Sequence, residues 1–303
     1  MTLTAESLPQ IQCVGRPVDM STAGLMRDST DILDYIPAAR QRMQRDGYLY
    51  LPGLLDVDLI LAARKNMTDQ LAREGYLDPG YPTMDAVVAP GKKMGFKPAL
   101  AKENAPLMKV LYDGAMMRFF NSFLGGAVRH YDYTWVRAVT PGPATPIHAD
   151  VVYMGRGTHQ LYTAWTPIGD APFETGGLIV LEGSNNHQRL KDTYFQSDVD
   201  TYCENRPGQR DGWAKKQGGA LKGHADQIRR SLGGGTWRTA DYRAGDVVIF
   251  SIYTIHGGTD NRSNRFRLST DTRYQLASEP VDERWIGENP IAHGDAGKRG
   301  KIC

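Results

Sequence analysis

The hydrophobic period changes once along this chain of 303 residues, and that change limits the folds open to it. Before Gly125-Gly126 the apolar residues recur at helical spacing; after it they alternate, or cluster in short runs broken by glycine and proline. Helices first, then strands separated by turns, argue for a helical platform beside a jelly roll or barrel. The spacing of Ile32, Tyr35, Ile36, Ala39 and Met43 predicts a helix over 31–45, with a turn and short strand over 46–53. Asp56 can cap a second helix that ends at Gly75, and Asn104 with Pro106 opens a third that runs to Gly125. The Pro- and Gly-rich stretch 76–103 reads as a long loop of the kind that covers a site. Strands are expected over 131–139, 160–167, 177–182, 246–252 and 266–275.

The expected division is an N-terminal extension over 1–30 lying on the surface, one domain over 31–290, and a tail over 291–303. Within the domain, the helical platform covers 31–125 and the β-part 126–278, interrupted by a lid insert over 186–243. Formal net charge is only +2, so no global basic field points to nucleic acid or a membrane surface. Three scattered cysteines, Cys13, Cys203 and Cys303, form no zinc spacing and no disulfide framework, which suggests a reducing compartment. With no signal-like start and no long apolar run, the cytoplasm is the expected location.

The chemistry-bearing residues lie in the second half. Four H-x-D pairs occur: His130/Asp132, His148/Asp150, His224/Asp226 and His293/Asp295. On a strand, such a pair places both side chains on one face. A distant histidine, His256, could complete a set of two imidazoles and one carboxylate with open positions for O2 and an oxo acid, as Fe(II) oxygenases require. The pairs at 224 and 293 sit in glycine-rich, strandless surroundings and drop out. Spacing alone does not separate His130/Asp132 from His148/Asp150.

Several stretches resemble the phytanoyl-CoA dioxygenase family of Fe(II)/2-oxoglutarate oxygenases over about residues 46–275. They are Arg45-Asp46-Gly47-Tyr48, Thr145-Pro146-Ile147-His148-Ala149-Asp150, Ala164-Trp165-Thr166-Pro167-Ile168 and Glu174-Thr175-Gly176-Gly177-Leu178. Glu182-Gly183-Ser184-Asn185, Ala244 to Phe250, and His256 with Arg267 follow in the same order. The resemblance implies a mainly β fold with flanking helices and a double-stranded β-helix core, a cupin-like jelly roll. It also implies Fe(II) as cofactor, held by His148, Asp150 and His256, with 2-oxoglutarate and O2 as cosubstrates. The family's cosubstrate arginine falls on Arg267, whose planar fork suits a carboxylate. Trp165 falls on an aromatic beside the cosubstrate, although a core tryptophan is nearly as good a description. Some relatives carry a hydroxyl two positions after the distal histidine; here Gly258 stands there, and Thr259 next to it is the expected substitute.

The resemblance implies release of succinate and CO2 with hydroxylation of a small-molecule substrate as the default outcome, and secondary metabolism as a setting. Desaturation, ring closure and demethylation use the same ligand set. Halogenation is disfavoured because Asp150 keeps the carboxylate that halogenating relatives replace. Between Glu204 and Arg243 there are nine Lys/Arg and four Asp/Glu, read either as a solvated surface or as an attraction for an anionic substrate. Lys92, Lys93 and Lys97 carry the same two readings, and Tyr153, on the expected strand after Asp150, is a candidate substrate contact. Two rival functions use the same residues: a non-catalytic small-molecule-binding domain, and a zinc hydrolase, which would need a general base beside a metal-bound water. No feature sets an oligomeric state.

Overall fold

A computed structural model describes residues 8–205 and 218–302. Its strands in chain order are β1 (Gln12–Cys13), β2 (Arg16–Pro17), β3 (Ala23–Leu25), β4 (Tyr48–Leu51), β5 (Val128–His130), β6 (Trp135–Val139) and β7 (Tyr162–Pro167). There follow β8 (Leu178–Leu181), β9 (Thr201–Cys203), β10 (Trp237–Thr239), β11 (Val247–Ser251), β12 (His256–Gly258), β13 (Arg267–Leu276) and β14 (Arg299–Lys301). The α-helices are α1 (Ile36–Asp46), α2 (Val57–Arg73), α3 (Ala105–Tyr112), α4 (Gly114–Leu124), α5 (Val151–Met154), α6 (Gln188–Asp192) and α7 (Ala225–Ser231).

Two sheets carry the architecture. The larger runs β4-β11-β7-β13-β5, with β6 also paired to β13, and the smaller runs β12-β8-β10-β3. Strand alternation sorts the side chains of the larger sheet between two cores. Leu49 and Leu51, Val247 and Ile249, Ala164, Leu268 and Tyr274 face the helices, where they meet Ile60, Met67, Leu111 and Phe120. Tyr48, Val248, Phe250 and Trp165 face the smaller sheet and pack on Leu178, Val180 and Tyr242. The platform helices therefore cover one face of the larger sheet, leaving the other free to build a site against the smaller sheet.

The helix ends follow local chemistry. Asp56 accepts the Leu59 amide to cap α2, and Asn104 accepts the Leu107 amide to cap α3. The single helix expected from Asn104 to Gly125 is two, because Asp113 adopts an extended conformation and caps α4 afresh.

Four expectations need correction. Residues before 30 are woven in rather than laid on the surface: β3 pairs in parallel with β10, and Ile11, Cys13 and Val18 are buried. The Asp260 carboxylate fastens this segment by accepting the amides of Val14 and Gly15 as well as that of Ala144. The stretch 186–243 is not only a lid, since β10 is an inner strand of the smaller sheet; residues 206–217 of that stretch lie outside those described. Tyr153 sits on the helical turn α5, not on a strand. Cys203 is disulfide-bonded, whereas Cys13 is a buried free thiol. Among the described residues, no helix is long and apolar enough to cross a membrane.

Candidate metal centre

His148, Asp150 and His256 meet between the two sheets. Their ligand atoms lie within 4.8 Å of one another, all three residues are buried, and they form the only such group among the described residues. The meeting does not come from strand alternation across H-x-D, because Asp150 has helical dihedrals and starts α5. Instead, the backbones of His148 and His256 exchange two hydrogen bonds of 2.8 Å, which sets the rings side by side with centroids 4.3 Å apart. Asp150 is then drawn inward by its own partners.

Those partners fix the donor set. His148 Nδ1 lies 2.8 Å from the Pro146 carbonyl oxygen and His256 Nδ1 lies 2.9 Å from that of Thr254. A carbonyl oxygen only accepts, so each Nδ1 carries the hydrogen and each Nε2 presents its lone pair. Both Nε2 atoms are 3.7 Å from Asp150 Oδ1. Asp150 Oδ2 is engaged elsewhere: the Thr163 hydroxyl donates to it at 2.5 Å and Arg273 Nη2 at 2.9 Å. Arg273 in turn lies over the Trp135 ring at 4.1 Å. One carboxylate oxygen and two imidazole nitrogens therefore point at a common place, each oriented from behind.

The electrostatics suit a cation. Burial works against charge on Asp150, yet the Arg273 guanidinium and the two imidazoles hold its carboxyl well below the usual carboxylate range. Burial, reinforced by the neighbouring His148, pushes the His256 imidazole down to about 4, so it is neutral at physiological pH. Two imidazoles and one carboxylate with an open side fit Fe(II).

That open side gives onto a small cavity, also lined by Arg137, Thr145, Trp165, Arg267 and Asp271. Arg267 is buried, and burial together with the nearby Arg137 pulls its guanidinium down to about 10. Its Nε has no hydrogen-bond partner, and its Nη1 reaches only the Gly177 carbonyl oxygen at 3.5 Å. An orphaned, buried guanidinium edge facing a cavity fits a dicarboxylate. Trp165 lines the cavity and also packs on Tyr242, with centroids 4.6 Å apart, so both of its readings hold.

The remaining expected residues are placed as follows. Thr259 does not line the cavity: its hydroxyl accepts the Gly177 amide at 2.8 Å, and Thr145 brings a hydroxyl to the cavity wall instead. Tyr153 stands edge-on to His148 and donates its hydroxyl hydrogen to the Gly218 carbonyl. Lys97 pairs with Glu74 at 2.7 Å, whereas exposed Lys93 lines a groove that shares Arg137 and Thr145 with the cavity. The rival His130 turns its Nδ1 to the Tyr131 carbonyl, and Asp132 accepts the Gly287 amide, with no third ligand among the described residues. Sequence reading missed Arg137, Thr163, Asp271 and Arg273. The available signal was the period-two polar series Arg267, Ser269, Asp271, Arg273 in a strand whose every residue from Arg267 to Gln275 is buried.

Comparison with known proteins agrees with this geometry. The family model described as Phytanoyl-CoA dioxygenase (PhyH) matches residues 43–269. The chain is 26% identical over 289 residues to the 1-deoxypentalenic acid 11-beta-hydroxylase of Streptomyces exfoliatus, covering 89% of this chain and 92% of that protein. Among solved structures it resembles the non-heme alpha ketoglutarate dependent carbocyclase SnoK from nogalamycin biosynthesis, with TM-score 0.57, 18% identity, and 92% and 88% of the two chains covered. It also resembles EctD from S. alaskensis with 2-oxoglutarate and 5-hydroxyectoine, with TM-score 0.55, 15% identity, and 97% and 95% covered.

Proposed function

The chain belongs to the phytanoyl-CoA dioxygenase family and is an Fe(II)/2-oxoglutarate-dependent dioxygenase; from that premise we propose that His148, Asp150 and His256 hold the iron and Arg267 the far carboxylate of 2-oxoglutarate. The two facing sheets are read as the halves of a double-stranded β-helix. The substrate is a small organic molecule oxidised at an unactivated C–H bond, with hydroxylation as the default outcome. Bound iron with 2-oxoglutarate and O2 supplies the oxidising power, the cosubstrate leaving as succinate and CO2.

The chain's residues do the rest. Arg273 and Thr163 occupy Asp150 Oδ2, which leaves Oδ1 as the single ligand atom and keeps positions open on the cavity side. Trp165 and Leu178 wall the cavity against water, which strengthens the pairing of Arg267 with a carboxylate. Relatives named as a hydroxylase and a carbocyclase imply that substrate placement, rather than the ligand set, decides the product.

The observation that carries this reading is the convergence of three buried ligand atoms, with both imidazoles tautomer-locked by backbone carbonyls. A zinc hydrolase is disfavoured because, among the described residues, the only further carboxylate lining the cavity, Asp271, is paired with Arg137 at 2.5 Å and is not free to act as a general base. The test is anaerobic titration of the metal-free protein with Fe(II) and then 2-oxoglutarate, following the weak visible charge-transfer band. The band is expected in wild type and His130→Ala and absent in His148→Ala. A wild type that binds Fe(II) but gives no band would overturn the reading.

A further inference from the structure

Accepting the iron and 2-oxoglutarate assignment, we propose that the primary substrate is a monocarboxylic acid, and that Arg137, at the junction of the cavity and the groove, binds its carboxylate. The first support is a charge count. Among the described residues, and apart from the imidazoles, the charged side chains that line the cavity or stand directly behind it are Arg137, Arg267, Arg273, Asp150 and Asp271. Three guanidiniums against two carboxylates leave one positive charge. Fe(II) and the 2-oxoglutarate dianion carry equal and opposite charges, so loading both leaves that excess unchanged. An excess charge on partly buried guanidiniums is offset by a singly charged anion. A phosphate monoester, close to doubly charged at neutral pH, would overshoot.

The second support is geometric and identifies the arginine. Arg273 is committed to Asp150, and Arg267 faces the cosubstrate end. Arg137 gives its Nε to Asp271 at 2.5 Å and has only a long contact of 3.4 Å from Nη1 to Thr145 Oγ1. Its Nη2 makes no hydrogen bond among the described residues, so one edge of the planar fork is free for bidentate pairing. Asp271 holds the guanidinium in place without occupying that edge. From this point the groove, of about 590 Å³, leads outward past Lys93 and Phe96, and Phe96 stacks on Tyr133 with centroids 6.5 Å apart. An acid could lay its apolar body along this groove, with Lys93 adding attraction at the mouth.

The test uses the full chain loaded with Mn(II) and 2-oxoglutarate, which prevents turnover. A panel of cyclic monocarboxylic acids and their primary amides is ranked by thermal shift, and dissociation constants of the hits are measured by calorimetry. Acids are expected to bind at least about tenfold more tightly than matched amides. Arg137→Gln should weaken the acids by about 10- to 100-fold while 2-oxoglutarate affinity stays within about twofold. Should that variant fold poorly with Asp271 unpaired, the charge-balanced R137Q/D271N pair makes the same test. Equal binding of acids and amides, or no acid bound by wild type, would overturn the proposal. So would a fall in 2-oxoglutarate affinity matching that of Arg267→Gln, which would make Arg137 a cosubstrate residue. A Mn(II)-loaded wild type unable to bind 2-oxoglutarate would remove the underlying site assignment as well.

Discussion

At the scale of single residues, the centre is governed by what stands behind each ligand. His256 illustrates it in its proton affinity. Its folded value lies near 4, below the ordinary 6.5, because burial disfavours the charged ring. Above about pH 6.5 the ring is neutral in both states and contributes no pH dependence. As pH falls from 6.5 towards 4, the unfolded chain takes up a proton that the folded one refuses, so stability is lost over that window, by about 3 kcal/mol at its end. Urea unfolding of the metal-free protein at pH 7.5 and pH 5 should show this loss, reduced in His256→Gln. Equal slopes in the two proteins would rule the effect out. The ligands themselves were legible in sequence because the family motif marks them, and without it His130/Asp132 was equal on spacing. Arg273 and Arg137 were not legible: their roles depend on which face of a strand looks inward and on partners 123 and 134 residues away.

Among the elements, the long ones were legible and the short ones were not. Helix α2 was readable from an Asp56 cap, an apolar face and Gly75, because each signal is local. Strands β3, β10 and β12 have three residues each, too few to display a period, and exist because neighbours pair with them. The turn into β8 is equally non-local. Gly176 has φ +73°, and a Cβ there would press into the Thr259 carbonyl and come within 2.9 Å of that of Asp260. Gly176→Ala should therefore cost about 3 kcal/mol in urea unfolding. It should also weaken 2-oxoglutarate binding, since the adjacent Gly177 carbonyl meets Arg267. A variant within about 0.5 kcal/mol of wild type would show that the turn relaxes freely.

Across the whole molecule, helices before strands was the right order. What the sequence hid was that the N-terminal segment returns to pair with β10, a parallel contact across more than 200 residues. Because His256 stands on β12 of the smaller sheet while Asp150 is held by Thr163 and Arg273 of the larger one, metal binding should stabilise the entire fold. Saturating Mn(II), about a hundredfold over its dissociation constant, is worth about 2.7 kcal/mol, so excess chelator should lower Tm by about 4 °C. His148→Ala should ignore the chelator, and an unchanged wild-type Tm would mean the metal is not coupled to folding. The alternation along β13 also bears on engineering. Since Arg267, Asp271 and Arg273 share that strand at even spacing, with Leu268 and Tyr274 at alternate positions facing the helices, inserting or deleting one residue would exchange its chemistry for its packing. Directed evolution for new substrates would do better to leave β13 untouched, keep Met94, which packs on the helical core, and randomise Lys93 and Phe96, whose exposed side chains border the groove.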